Sequence, residues 1–227
     1  MQPHAGVLRH VFAALVLAAS VAALALPTTA SASATSEAFL AGIPQHGATL
    51  GDPKAPYLLT EYVDLQCPFC AEWAREVLPT VVDRYVRTGE ARIDLHLVSF
   101  IGNDSVTAAR FAVAARLQDL AWSMSVRLLL DQREENTGYV TSRYLRREGA
   151  KVAGLDVAAA VTASRARAVA RVVRRETRSF LSNKRLTGVP SMVLSRRGSR
   201  PRLVAERNAT SRVAVVRALD RLIRPQR

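Results

Sequence analysis

Apolar and polar positions along the first half of the chain predict a strand, a helix and a second strand. Residues 57–64 (YLLTEYVD) are nearly continuous in apolar and β-branched character, as in a central strand buried on both faces. Apolar residues recur on one helical face over residues 67–87, where Pro79 lacks a backbone donor and predicts a kink. Residues 91–100 alternate between apolar and polar, which indicates a second strand. We expect a right-handed crossover between the two strands.

The second half of the chain is helical first and then returns to strands. Residues 103–185 carry mostly helical patterns separated by turn residues. Residues 191–195 and 202–205 predict a hairpin, and residues 211–223 predict an amphipathic terminal helix. The order is therefore strand–helix–strand, a helical insertion, then strand–strand–helix. Over residues 57–227 this is the topology of an α/β thioredoxin fold with an inserted helical subdomain.

The N-terminus has the pattern of a secretory signal. Arg9 supplies a positive charge, residues 11–26 form an apolar run, and small residues that suit a signal peptidase follow. We predict a signal peptide over residues 1–34, so that the protein works outside the cytoplasm, in the periplasm, the cell envelope or the medium. An uncleaved membrane anchor is the alternative, since the run is close to spanning length. Residues 35–56, rich in glycine and proline, predict an extended N-terminal arm.

The chain has two cysteines, Cys67 and Cys70. In exported proteins a structural disulfide usually closes a long loop and thereby restricts the unfolded chain. A bridge between Cys67 and Cys70 would enclose two residues and remove little entropy. The alternatives are an inert disulfide and half of a zinc site, but a zinc site needs two further ligands. The spacing therefore favours a redox pair that needs neither a metal nor another cofactor.

The position of the pair predicts a role for each sulfur. Cys67 falls between a strand and a helix, and Pro68 suits the first helical position, where no backbone donor is needed. The free N–H groups of Phe69 and Cys70 would then face the sulfur of Cys67 and, with the helix dipole, stabilise its thiolate. Cys67 is thus predicted to attack the substrate, and Cys70, one turn along, to resolve the mixed disulfide.

Four segments resemble bacterial DsbA-like thiol–disulfide oxidoreductases of the thioredoxin superfamily. They are residues 51–56 (GDPKAP), residues 61–70 (EYVDLQCPFC), residues 108–124 of the insertion, and residues 187–190 (TGVP). The resemblance implies a disulfide oxidase that acts on unfolded or newly exported proteins containing cysteines. It also implies a membrane partner that reoxidises the pair, of the DsbB or vitamin K epoxide reductase kind.

The resemblance also implies a cis proline at Pro190, in a loop that faces the disulfide. A cis bond turns the backbone sharply and leaves the polar groups of Val189 free. Val189 would then pair with an extended substrate chain, as an added strand does. The alternative is an ordinary turn proline before a strand.

Glu61 interrupts the apolar strand six residues before Cys67. The DsbA-like family has an acid at the matching position, which implies a buried carboxyl that exchanges protons with Cys70. The alternative is a solvent-exposed glutamate at a strand end. Pro68 and Phe69, between the cysteines, are predicted to contact substrate.

Composition and charge restrict the partners. The 227 residues are 49% hydrophobic and 22% charged, as in globular proteins, and the formal net charge is +13. Arginines crowd residues 165–178, and more basic residues follow over 184–202. Export and the lack of interleaved aromatic residues argue against nucleic acid as a partner. An anionic cell-envelope surface and an ordinary solvated basic face both remain open.

The same residues leave the direction of electron flow open. A reductase fed by a membrane electron donor would use the same cysteines, and a non-enzymatic binding or chaperone module could use the same scaffold. DsbA proteins often have a histidine between the cysteines, and its absence here weakens the case for strong oxidation. No dimerisation segment is evident, so we expect a monomer rather than a dimeric isomerase.

Overall fold

A computed structural model describes residues 37–204 and 209–224, and one mixed β-sheet forms the centre of this part of the chain. The strands are β1 (Gln45–His46), β2 (Thr49–Leu50), β3 (Tyr57–Asp64), β4 (Ala91–Val98), β5 (Ser191–Arg196) and β6 (Arg202–Leu203). Their order across the sheet is β1-β2-β4-β3-β5-β6. β3 and β4 run parallel, and every other neighbouring pair is antiparallel. The predicted α/β topology is confirmed.

Helices supply most of the rest of the described chain. They are α1 (Pro68–Glu76), α2 (Leu78–Val81), α3 (Asn103–Ala115), α4 (Ala121–Leu130), α5 (Ser142–Gly149), α6 (Val157–Ser164), α7 (Arg167–Ser182) and α8 (Arg212–Ile223). A π-helical segment, Val82–Val86, continues α2, and single 3₁₀ turns cover Ala38–Leu40 and Arg116–Gln118. The helices α3 to α7 follow β4 and precede β5 in the chain, and they contact one another. They form the predicted helical insertion.

The helix after the cysteines is interrupted as the proline predicts. α1 ends at Glu76, and Pro79 lies in the first turn of α2, where its missing N–H leaves no hydrogen bond unmade. Trp73, Val81 and Tyr85, on either side of the break, are buried in one apolar core. The two helical pieces therefore present a continuous apolar face.

A small hairpin occupies part of the segment predicted as an extended arm. β1 and β2 meet at a turn with Gly47 at a φ of +60°, and β2 adds to the edge of β4. Leu50 is fully buried, and Trp122 of α4 donates its indole N–H to the Ala48 carbonyl at 2.8 Å. The hairpin thus owes its place to the sheet edge and to the helical insertion.

Glu176 of α7 joins the helical insertion to the sheet. Its Oε2 accepts the Leu97 backbone N–H at 2.8 Å, and its Oε1 accepts from Arg116 at 2.8 Å. Leu97 lies beyond the stretch of β4 that pairs with β2, so the carboxylate satisfies an edge N–H of the sheet. This contact lies at the end of β4 that is nearer to the cysteines, because β4 runs parallel to β3.

Some predicted features lie outside the described residues. These are the signal peptide over residues 1–34, the first two residues of the predicted arm over residues 35–56, and the last residue of the predicted hairpin, Ala205. Among residues 37–204 and 209–224, no helix has both the length and the apolar character needed to cross a membrane.

Candidate active site

The two cysteines lie between the end of β3 and the first turn of α1. Cys67 is the residue just before the helix, with extended backbone angles (φ −77°, ψ 120°), and Pro68 is the first helical residue. Both cysteines are free thiols; the Cys67 residue is 5% exposed and Cys70 is completely buried. Pro68 and Phe69 are exposed, which leaves the two intervening residues open to a partner.

The surroundings of Cys67 lower the pKa of its thiol. The largest cause is a hydrogen bond with the Cys70 side chain, and the backbone N–H groups of Cys70 and Phe69 act in the same direction. Burial and the charge of Asp64 oppose the shift without cancelling it. Both N–H groups belong to the first turn of α1, where the backbone donors point towards the residue before the helix; the Cys70 N–H also donates to the Cys67 carbonyl at 3.0 Å. A lower pKa provides more thiolate at neutral pH and a better leaving group.

The pKa of the Cys70 thiol is shifted in the opposite direction. Its burial is the main reason that the pKa of its thiol lies well above 9.0, and the hydrogen bond with Cys67 and the charge of Cys67 add to it. The negative charge of the reduced pair is therefore held on Cys67. This asymmetry separates a sulfur suited to attack from one that retains its proton.

The loop before β5 lies against Cys67. The Val189–Pro190 peptide is cis, as the resemblance implies, and the Cys67 thiol donates to the Val189 carbonyl at 3.6 Å. Pro190 is buried and Val189 is half-buried. The fold thus brings together the cysteines and a loop that lies more than a hundred residues further along the chain.

Glu61 is completely buried in the middle of β3, so the alternative of a solvent-exposed strand-end glutamate is wrong. Its neighbours across the sheet are Leu95 and Met192, and neither of its carboxyl oxygens has a hydrogen-bond partner within the described residues. Burial raises the pKa of Glu61 well above 4.5. Its charge, when present, raises the pKa of Cys70. Burial therefore favours the protonated form of Glu61, and its carboxyl is electrostatically linked to Cys70.

Asp64, at the end of β3, fixes the loops around the pair. It is completely buried and accepts backbone N–H groups of Gln66 at 2.9 Å, Phe100 at 2.9 Å and Ile101 at 3.3 Å. It also accepts the Ser105 hydroxyl at 2.6 Å. One carboxylate thus ties the segment before Cys67 to the start of the helical insertion.

Two glutamines hold the same segment, and sequence reasoning missed both. Gln132, just after α4, donates to the Leu65 carbonyl at 2.8 Å and to the Cys67 carbonyl at 3.3 Å. Gln66 donates to the Tyr139 hydroxyl at 2.7 Å. The helical insertion therefore supports the backbone that positions Cys67. No local pattern marks these residues, because their contacts depend on how the insertion folds back.

Exposed aromatic side chains lie at this end of the sheet. Phe69 is 62% exposed and Phe100, in the loop that Asp64 holds, is 45% exposed. The Phe100 ring stacks on Phe180 of α7 with centroids 5.8 Å apart. Phe100 was not among the predicted substrate contacts, since its position in the sequence shows only the end of a strand.

A cysteine with a lowered pKa at a helix N-terminus, a buried partner one turn later and a proline loop against the first sulfur define the kind of site at which thiols and disulfides exchange. A family model described as thioredoxin matches residues 45–200, well over half of the chain. The chain belongs to the thioredoxin family, and the predicted resemblance is confirmed.

Two curated relatives are similar over 99 residues. The probable disulfide bond formation protein D of Bacillus anthracis is 29% identical, and its counterpart in Bacillus cereus is 28% identical. The similar segment is 43% of this chain and 46% of each relative, so the chain spans about half the length of the curated relatives it matches.

Solved structures share the fold over a larger part of the chain. Oxidised BdbD from Bacillus subtilis has a TM-score of 0.67 at 16% identity, covering 80% of this chain and 97% of its own. Chlamydia trachomatis DsbA has a TM-score of 0.60 at 20% identity, with coverages of 77% and 89%. Pseudomonas aeruginosa DsbA2 has a TM-score of 0.60 at 20% identity, with coverages of 80% and 96%. This likeness confirms the predicted thioredoxin fold with a helical insertion.

Proposed function

We propose that this protein is an exported thiol–disulfide oxidoreductase that passes a disulfide from Cys67 and Cys70 to newly exported proteins. The observation that carries the proposal is the opposite displacement of the two pKa values, down for Cys67 and up for Cys70. Such a pair favours the dithiol form with its charge on Cys67, and stabilising the reduced form makes a disulfide a stronger oxidant.

The reaction starts from the Cys67–Cys70 disulfide. A substrate thiolate attacks the sulfur of Cys67; a substrate–Cys67 bond forms, the Cys67–Cys70 bond breaks, and Cys70 leaves as a thiolate. A second substrate thiolate then attacks the substrate sulfur of this mixed disulfide and releases Cys67 as a thiolate. The substrate loses two electrons and the cysteine pair gains them, so the sulfurs alone carry the redox change.

Glu61 supplies the proton that Cys70 needs on leaving. Cys70 is completely buried and has a raised pKa, so its thiolate is costly without a proton donor. Glu61 is equally buried and retains its proton above the pH at which an ordinary glutamate loses it. Glu61 and Cys70 therefore exchange a proton during the reaction.

Substrate binding falls to the exposed residues beside the sulfurs. Pro68 and Phe69 offer an apolar surface, and the Val189 carbonyl, which accepts the Cys67 thiol here, would accept a hydrogen bond from an extended substrate. These features suit unfolded chains of varied sequence. A membrane partner of the DsbB or vitamin K epoxide reductase kind would accept the two electrons and restore the disulfide.

The names of the curated relatives support disulfide formation as the direction of the reaction. The N-terminal signal pattern supports a site of action outside the cytoplasm. A reductase is the second candidate, and one observation favours it. The charge of Asp64 raises the pKa of Cys67, and no positive residue between the cysteines offsets it.

The test starts with the purified chain in its disulfide form and a reduced, unfolded test protein whose enzymatic activity returns on disulfide formation. We expect recovery of activity and stoichiometric reduction of the chain, with no recovery for Cys67→Ser. The same mixture started from reduced chain and oxidised test protein measures the reverse rate. A faster reverse reaction favours the reductase, and activity retained by Cys67→Ser contradicts both candidates.

A further inference from the structure

Two adjoining pockets open at the end of the sheet where β3 begins and β5 ends. The first, about 590 Å³, lies between the β5–β6 hairpin and α8. The second, about 660 Å³, lies between the same hairpin and the loop before β3. Ser195 and Arg196 line both pockets. β3 is eight residues long, so this end lies about 23 Å from the end that leads to Cys67.

The lining of the two pockets is strongly basic. Its charged members are Lys54, Arg92, Arg196, Arg197, Arg200, Arg202 and Arg221, and no carboxylate of the described residues lines either pocket. None of these side chains belongs to an ion pair within the described part of the chain. Two neighbouring carboxylates bind other partners: Glu90 binds Arg224, and Asp220 binds Arg84. Within the described residues, no carboxylate therefore neutralises the charged side chains of the two pockets.

Two of these arginines are held in place before any ligand arrives. Arg92 donates to the Ala55 carbonyl at 2.6 Å. The Arg196 guanidinium lies over the Tyr57 ring, 5.4 Å from its centroid. Fixed guanidinium groups lose less conformational freedom on binding than free side chains do.

We propose that the two pockets form a binding site for a linear polymer that carries successive phosphate groups. Guanidinium groups match phosphate oxygens with two parallel hydrogen bonds, which gives arginine its preference for such ligands. Because the two pockets share Arg196, two neighbouring phosphate groups of one polymer can occupy them together. A single phosphate ion would fill only one pocket.

The shape and the lining favour a soluble chain over a lipid bilayer. Both pockets are concave, and none of the exposed large apolar side chains in the described residues lines them, so no group is placed to insert into lipid. Because the cysteines lie at the other end of β3, a polymer bound here leaves Cys67 and Phe69 open to substrate. The protein would be retained by an anionic polymer while its redox site stays accessible.

The test measures binding of inorganic polyphosphate to the full chain by calorimetry at low and at physiological salt. The pocket variant is Arg196→Gln/Arg200→Gln/Arg202→Gln/Arg221→Gln. The matched control, Arg167→Gln/Arg171→Gln/Arg178→Gln/Arg185→Gln, removes the same charge from exposed positions on α7 and just after it. We expect the pocket variant to bind about tenfold or more weakly and the control to stay within about twofold of the parent chain. Equal weakening in both variants would mean that net charge alone attracts the polymer, and would overturn the site.

Two further binding experiments identify the chemistry of the ligand. Polyglutamate of similar length should bind at least about tenfold more weakly than polyphosphate, and equal affinity would overturn the preference for phosphate. Vesicles of anionic phospholipid should bind no better to the parent chain than to the pocket variant; a difference there without polyphosphate binding would assign the surface to membranes instead. In NMR spectra of the parent chain, the amide resonances of Ser195 and Ser199 should shift on polyphosphate addition while those of α7 stay fixed. This measurement does not depend on the folding of any variant.

Discussion

Replacing Glu61 with glutamine should change how the stability of the protein depends on pH. The Glu61 carboxyl is completely buried without a hydrogen-bond partner among the described residues, and burial raises its pKa well above 4.5. Below pH 4.5 the group is protonated in both the folded and the unfolded chain, and it imposes no pH-dependent cost. Above pH 4.5 the unfolded chain loses the proton while the folded chain keeps it, so folding becomes less favourable as pH rises.

The size of this effect follows from one proton. Each pH unit between 4.5 and the raised pKa lowers the free energy of unfolding by about 1.4 kcal/mol. Glutamine has a similar shape and does not ionise, so the stability of Glu61→Gln should rise relative to that of the parent chain by about 1.4 kcal/mol for each pH unit above 4.5, until the raised pKa of Glu61 is reached. The glutamine amide lacks a hydrogen-bond partner, which lowers the free energy of unfolding by an amount that does not vary with pH. The test is therefore the slope of the free energy of unfolding against pH.

Urea unfolding of the reduced chain at several pH values, followed by the fluorescence of the buried Trp73 and Trp122, measures the difference. The control is Glu72→Gln, on the exposed side of α1, which should give a curve parallel to that of the parent chain. Parallel curves for Glu61→Gln and the parent chain would contradict a raised pKa, because they would mean that Glu61 ionises in the folded protein as readily as in the unfolded chain.

Three other substitutions test the contacts around the site. Cys70→Ala should raise the pKa of Cys67 more than Cys70→Ser, which keeps a donor, and the pH dependence of alkylation by iodoacetamide measures both; equal values would contradict the side-chain hydrogen bond. Asp64→Ala strands buried backbone N–H groups and should lower the free energy of unfolding by about 3 kcal/mol in urea, with a smaller loss for Asp64→Asn. Trp122→Phe removes the bond to Ala48 and should cost about 1 kcal/mol; an unchanged midpoint would show that the hairpin holds without it.

The elements that sequence patterns predicted well are those whose signals are local. β3 coincides with the predicted strand over residues 57–64, because a run of apolar and β-branched residues suits a strand buried on both faces. The break before Pro79 follows from the proline itself. The hairpin of β1 and β2 escaped prediction, since two-residue strands are too short to show alternation and owe their place to β4 and Trp122.

The residues of the candidate site also divide into those with a local sequence signal and those without one. Cys67 and its helix start were readable from the order of strand, cysteine and proline, and the cis peptide at Pro190 came from the family resemblance. The strand pattern alone did not decide whether Glu61 is buried, because a glutamate in an apolar run fits both a buried and an exposed position. Gln132 and Phe100 remained unseen, since their roles arise from contacts across distant segments.

The most direct test of the central claim is a titration of the Cys67–Cys70 couple in glutathione buffers of graded potential. We expect a reversible two-electron couple with a potential nearer to roughly −120 mV, the value of DsbA, than to roughly −270 mV, the value of thioredoxin. A potential at the thioredoxin end would contradict the oxidase, and the absence of a reversible couple would contradict any role of the pair in thiol–disulfide exchange.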